Sequence, residues 1–247
     1  MKFPITQLEV ETRSTCNRVC RGCLRNSHPD KEVVSAWHET HEMSVDTFYE
    51  IFRRARELGF SGNVCLSHYN EPMQDTRLAD LASLVKGMGF QYVFACTNAD
   101  YINAEIASRL DEFFDMLYVA LYVWRSQPLN LEEHENWLRS KFKKTKLNFV
   151  STDHMATHFS PLFPVEELAA ANIDKPCMEP AKRTIINHKC EMLMCCDDLV
   201  GNFGLGNIHD SSLEELWYGE KHQEAIFALA QPGGRRKFDY CKTCPRG

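Results

Sequence analysis

The chain has no basic run long enough to grip a polyanion and no apolar stretch approaching a membrane span. It also has no internal repeat and no low-complexity tract. Its densest basic stretch, Lys141-Phe142-Lys143-Lys144-Thr145-Lys146, reads as the solvated end of a helix. With a net charge of −6 and a pI near 5.9, this excludes nucleic acid as the main partner. Met1-Lys2-Phe3-Pro4 leads into the first strand without an apolar leader, which predicts a cytoplasmic protein with no membrane partner. In that reducing compartment the eleven cysteines read as metal ligands rather than disulfides. At 247 residues and 44% hydrophobic, the chain can bury one good core with a small appendage.

The most informative residues are Cys16, Cys20 and Cys23, spaced C-x3-C-x2-C. Three soft thiolates from one short loop suit a cubane iron–sulfur cluster with one iron left open. Zinc, which normally completes four ligands, is the alternative. The alternating run Gln7–Thr12 just before them reads as a strand, so the loop stands at a strand's carboxyl end, where α/β folds place their chemistry.

Strand and helix patterns then alternate. Ser44 caps a helix through Phe48, Ile51, Phe52, Ala55 and Leu58 that ends at Gly59. Strands follow over Asn63–Ser67, Tyr92–Thr97, Met116–Tyr122 and Leu147–Val150, separated by helices over Leu78–Met88, Asn103–Phe113 and Leu131–Phe142. Such βαβ units predict an α/β fold, a partial parallel (βα) barrel of about five strands, with a sixth unit missing or degenerate. Pro161, Pro164 and a short helix over Val165–Ala171 mark a change of composition. We therefore divide the chain into a core of residues 1–174 and a C-terminal domain of residues 175–247, which holds a hairpin, Thr184–His188 and Glu191–Cys195, and a helix. Cys65 and Cys96, inside strands, read as packing residues.

In this setting the triplet resembles the radical S-adenosylmethionine (radical SAM) superfamily. The resemblance implies that the open iron chelates the methionine end of SAM, and that an electron from the cluster releases a 5′-deoxyadenosyl radical. It places Tyr69-Asn70-Glu71-Pro72, which ends the second strand, against SAM's ammonium, with Glu71 among the groups that fix it. It places Thr97-Asn98 near the ribose, with Ala99 where the family has glycine. The residue before the third cysteine, aromatic in the family and set over the adenine, is here Gly22, so that cover comes from elsewhere. The shortened core is similar to that of aminoglycoside-pathway dehydrogenases in the superfamily.

The C-terminal order resembles the SPASM and shorter twitch domains of the same superfamily. It runs from Lys175-Pro176-Cys177 through the hairpin to Leu205-Gly206-Asn207-Ile208, a capped helix ending in Trp217, and Cys241-Lys242-Thr243-Cys244. The resemblance implies an auxiliary [4Fe–4S] cluster on Cys177, Cys195, Cys241 and Cys244, with Cys190 and Cys196 excluded; zinc on the same four is the alternative. It further implies an oxidoreductase that takes hydrogen from a small polar substrate (sugar, aminocyclitol or nucleoside-like), the auxiliary cluster taking the substrate electron. A one-electron donor such as flavodoxin or ferredoxin would serve as partner. Arg125, Asp153, His154 and His158, after the fourth and fifth strands, are the substrate-side candidates. Peptide modification and a degenerate metal-stabilised binding module are the competing functions.

Overall fold

Along Gln7–Val10 apolar and polar residues alternate, so Leu8 and Val10 share one face and Gln7 and Glu9 the other. This strand, β1, lies inside a seven-stranded sheet of order β5-β4-β3-β2-β1-β6-β7. The sheet is seen in a computed structural model that describes residues 5–20, 23–27, 30–32, 35, 39–121, 130–150 and 166–246. The other strands are β2 (Asn63–Cys65), β3 (Val93–Thr97), β4 (Met116–Val119), β5 (Lys146–Phe149), β6 (Arg183–Ile186) and β7 (Met192–Leu193). Every neighbouring pair is parallel except β6 with β7.

Helices α1 (Val45–Glu57), α2 (Leu78–Gly87), α3 (Ala104–Phe113) and α4 (Leu131–Lys141) alternate with strands β2 to β5. Their starts are set by side chains that accept otherwise unpaired amide hydrogens: Ser44 from Thr47 N at 3.0 Å, Asn103 from Ile106 N at 2.9 Å and Asn130 from Glu133 N at 3.3 Å. The apolar stripe of α1 buries Phe48, Ile51, Phe52 and Ala55. Those side chains join Leu8, Val10, Val64, Phe60 and Phe90 in the main core, where Phe52 meets Phe90 edge-on at 5.4 Å.

The α/β parallel sheet is the expected one, and the five expected strands are all present. The expected hairpin is present as the antiparallel pair β6 and β7, but the reading of a missing sixth unit needs correction. The first arm of the hairpin, β6, pairs in parallel with β1 from Gln7↔Arg183 to Val10↔Ile186, so a sixth parallel strand exists and comes from beyond the division at Asp174. Thr184, Ile185 and Ile186 are wholly buried. A four-residue strand covered on both faces has no alternation to separate it from one arm of a hairpin.

Helix α5 (Glu166–Asn172) precedes β6, and α6 (Leu213–Tyr218) and α7 (Glu220–Leu229) follow β7. A reciprocal pair, Ser212 and Glu215, caps α6, whose Trp217 enters the main core. Gly206 fits only as glycine: its φ is 123°, and a Cβ there would stand 2.7 Å from Leu216 Cδ2. No helix among the described residues is long and apolar enough to cross a membrane.

Candidate functional site

Because β1 to β6 run parallel, their carboxyl ends share one edge of the sheet. There the cysteine loop is fixed from several sides. Glu71 N, after β2, donates to Thr15 O at 2.9 Å, and Asn98 Nδ2, after β3, donates to Asn17 Oδ1 at 2.8 Å. Arg18, 3% exposed, pairs with Asp100, which also accepts from Asn17 Nδ2 at 2.6 Å. The buried Arg25 guanidinium donates to the Ser14 carbonyl. Cys20 is buried, and Cys16 and Cys23 are half-buried. Burial raises the Cys16 pKa and pushes that of Cys23 up to about 12, and the nearby cysteines of the loop add to both shifts.

The segments after β2 and β3 brace one another. The Glu71 carboxylate, 2% exposed, accepts from Met73 N at 3.1 Å, Thr97 Oγ1 at 2.6 Å and Asn98 N at 2.7 Å. Burial raises its pKa to about 7 against the pull of those donors. Most of its lone pairs are thus taken by protein groups, so the structure gives this side chain a bracing role before any contact with an ammonium. Asn70 Oδ1 accepts from His68 N at 3.0 Å, whereas its Nδ2 is buried without a partner. Tyr69 N donates to Glu11 Oε1 at 3.0 Å. Ala99 adopts φ 62°, the left-handed conformation that a glycine would take there without strain.

The inner face of the sheet lines a cavity of about 420 Å³ with Glu9, Cys65, Cys96, Tyr118, Arg183 and, from beyond β7, Cys196 and Arg246. Glu9 accepts from Gln7 Nε2 at 3.1 Å and pairs with His68 Nδ1 at 2.6 Å. Burial opposes the His68 charge, but Glu9 outweighs it and raises the pKa. Deeper, the wholly buried Glu11 meets His188 Nδ1 at 2.5 Å; burial disfavours its charge, and the histidine more than offsets that. Cys65 is buried as expected, though it borders this cavity, whereas the packing role expected for Cys96 needs correction, because Cys96 is exposed there. Sequence reasoning missed Glu9, His68 and Arg183. The available signal was an acidic residue set between Leu8 and Val10 in a strand that parallel pairing covers on both sides.

The C-terminal cysteines sort into two groups. Cys177 and Cys241 pack against a small cluster of Met194, Ala225 and Leu229. Cys244 N donates to Cys241 O at 3.2 Å, which folds the C-x2-C pair into one turn. Burial pushes the Cys241 thiol up to about 12 and raises that of Cys244, and Cys177 reinforces both shifts. Cys195 is raised by burial and acts with Cys244 on the Tyr240 hydroxyl, whereas Cys196 lines the cavity, where Arg183 and Glu9 act on it. Cys190 belongs to the main core at the hairpin turn, with φ 64°.

Among the described residues no three His, Cys, Asp or Glu side chains converge closely enough to hold a single ion. A cubane does not require that convergence, since each thiolate binds its own iron. Three thiols in one pinned loop and the unpartnered Asn70 amide beside it fit a cluster with a polar ligand. Gly22, Arg125, Asp153, His154 and His158 lie outside the described residues.

Residues 177–245 match the SPASM family model, an iron–sulfur cluster-binding domain. Over 97% of its length the chain is 23% identical to the S-adenosyl-L-methionine-dependent 2-deoxy-scyllo-inosamine dehydrogenase of Niallia circulans, covering 92% of that protein. The fold is similar to BtrN in complex with AdoMet and 2-DOIA, with a TM-score of 0.78 at 20% identity over 100% of this chain and 95% of that one. It is also similar to anSMEcpe with bound AdoMet, with a TM-score of 0.61 at 13% identity over 98% and 85% of the two chains.

Proposed function

We propose that the chain joins a radical SAM core to its SPASM-type iron–sulfur domain and is an oxidoreductase that acts on a small polar molecule of the sugar, aminocyclitol or nucleoside kind. The observation that carries this reading is the cysteine loop tied to the ends of β2 and β3, two strands whose residues also line the cavity. When bound, SAM and its cluster supply the radical that takes a hydrogen atom from a substrate carbon, and an auxiliary cluster supplies an acceptor for the electron released as the carbinol becomes a ketone.

Cys16, Cys20 and Cys23 hold the first cluster in a core of residues 1–174. Cys177, Cys195, Cys241 and Cys244 hold the auxiliary one in a domain of residues 175–247. Asn70 offers its free Nδ2 donor to the methionine carboxylate, and carbonyls of the Tyr69–Glu71 segment receive the ammonium. Glu71 keeps Thr97 and Asn98 in place for the ribose. A cavity of about 420 Å³ suits a small molecule, and Glu9, His68 and Arg183 suit its hydroxyl or amino groups. Arg125, Asp153, His154 and His158, which follow β4 and β5 in sequence, are the further substrate-side candidates. A flavodoxin or ferredoxin supplies the electrons.

The test is anaerobic reconstitution with SAM and dithionite. About eight irons per chain and release of 5′-deoxyadenosine are expected. Changing Cys16, Cys20 and Cys23 to Ala should remove about half the iron and all cleavage. Cys195→Ala should remove the auxiliary half, whereas Cys196→Ala should keep it. Zinc in the C-terminal site, or cleavage that survives the triple change, would overturn the assignment.

A further inference from the structure

Among the described residues that line the inner cavity, His68 combines a fixed ring with an uncommitted polar atom. It follows β2, and its side chain is 3% exposed. Glu9 of β1 meets Nδ1 at 2.6 Å, and the Tyr69 ring stands edge-on to the imidazole at 4.5 Å. A carboxylate only accepts, so Nδ1 carries the hydrogen of the neutral ring and Nε2 has a bare lone pair. That Nε2 is buried and has no hydrogen-bond partner. A buried acceptor is costly to leave unpaired, and a ligand's O–H in the cavity would satisfy it. Other polar groups of the cavity suit this part less well. Arg183 and Arg246 can only donate, and Glu9 is already engaged by Gln7 Nε2 at 3.1 Å and by the imidazole.

We propose that His68 is the catalytic base of the oxidation, its Nε2 accepting the hydrogen bond of the substrate carbinol and then its proton, with Glu9 as the positioning residue that fixes the ring. The inference rests on the reading under Proposed function. Once the carbinol carbon has lost its hydrogen atom, the remaining O–H is far more acidic than that of an alcohol, so an imidazole is base enough. The O–H bond breaks, the proton goes to Nε2, the electron goes to the auxiliary cluster and the carbon–oxygen double bond forms. The imidazolium then gives the proton to solvent. The electron that opened SAM is balanced by the one the substrate releases. Glu9 holds the ring in the tautomer that can accept and stabilises the imidazolium that forms. The other charges set around the ring are Glu11 just after β1, Asp197 from beyond β7, which Arg246 pairs, and Arg183 of β6, 3.7 Å from Glu9. Burial opposes the imidazolium, and Glu9 outweighs it.

The experiment uses the reconstituted full chain with SAM, dithionite and, in turn, 2-deoxy-scyllo-inosamine, glucosamine, myo-inositol and adenosine as probes, with ketone and 5′-deoxyadenosine measured together. On a probe that the unaltered protein oxidises, His68→Gln should lower the ketone rate by about a hundredfold or more at unchanged iron content, while 5′-deoxyadenosine is still released and the KM for the probe changes little. The unaltered rate should rise with pH as His68 loses its proton, and Glu9→Gln should move that rise to lower pH. A ketone rate in His68→Gln within threefold of the unaltered one, or ketone and 5′-deoxyadenosine that fall together, overturns the assignment of the base and leaves the reading under Proposed function intact. No ketone from any probe overturns both. A second readout needs no turnover: exchange of the histidine ring C–H with D₂O, followed by mass spectrometry of the anaerobic holoprotein, reads the titration of each imidazole. His68 should titrate between pH 5 and 9 with a midpoint that falls in Glu9→Gln. A ring that does not titrate in that range, or a midpoint indifferent to Glu9→Gln, also overturns the proposal.

Discussion

The two faces of the sheet are built from neighbouring residues of the same strands, yet they have opposite chemistry. Toward the helices stand Leu8 and Val10 of β1, Val64 of β2, Ala95 of β3 and Leu117 and Val119 of β4, all at 0% exposure. Toward the cavity stand Glu9, Cys65, Cys96, Tyr118 and Arg183. A parallel sheet ordinarily covers both faces with apolar side chains. Buried or half-buried charge on one face costs stability unless each group is paired, and here Glu9 is met by Gln7 and His68. The contrast locates function on the inner face and stability on the outer one.

The sharpest way to break that contrast is to truncate one side chain on each face. Leu8→Ala, on the outer face, should cost about 2–5 kcal/mol from lost transfer energy and the cavity left behind. Cys96→Ala, on the inner face, should change stability by about 0.5 kcal/mol or less. Anaerobic urea unfolding measures both. Equal losses would mean that the inner face is core rather than site.

A smaller effect is expected where the two faces meet the cysteine loop. The folded-state pKa of Glu71, about 7, lies above the ordinary 4.5, so the native protein holds a proton that the unfolded chain has already released. Stability from this group is therefore fully present below pH 4.5, falls as pH rises toward 7 and is level above it. The total is about 3 kcal/mol by linkage, as an order of magnitude. Glu71→Gln should remove that slope from the difference between variant and unaltered protein. It should also weaken SAM binding while leaving iron content unchanged, because the amide cannot accept from Thr97, Asn98 and Met73 as the carboxylate does. An identical pH slope in the two proteins would show that Glu71 is ionised throughout.

How much of this was legible in the sequence depended on whether the signal was local. The caps at Ser44, Asn103, Asn130 and Ser212 act within three residues of themselves and could be read directly or from the pattern that follows. The cysteine triplet was legible for the same reason. β6 was legible as a hairpin arm but its place beside β1 was not, because β1 lies more than a hundred and seventy residues earlier in the register Gln7↔Arg183, and pairing of that range leaves no periodic mark in four residues. The inner position of Cys96 was hidden too: Val93–Thr97 is a nearly continuous apolar run, and period two cannot be extracted from it. The role of Glu71 depended on three donors from its own turn and from β3, which a Glu-Pro dipeptide does not announce.

The smallest expected effect lies at Ala99, on the edge where the faces join. Its methyl is fully buried in the main core, while Thr97 and Asn98 just before it turn to Glu71 and to the cysteine loop. Its φ of 62° costs an L residue about 1–2 kcal/mol, a strain that glycine would not bear. Glycine would forfeit about 0.8 kcal/mol of methyl burial and add about 0.5–1 kcal/mol of unfolded-state entropy. These terms oppose each other, so Ala99→Gly should shift stability by less than about 1 kcal/mol in either direction, with SAM affinity unchanged because the backbone of the turn is already in the glycine conformation. A branched residue in the same place, Ala99→Val, meets both the strain and the full core and should cost more than Ala99→Gly in the same urea titration. If valine were tolerated as well as glycine, the turn would not be held in the left-handed conformation, and the alignment of Thr97 and Asn98 with the cysteine loop would need another cause.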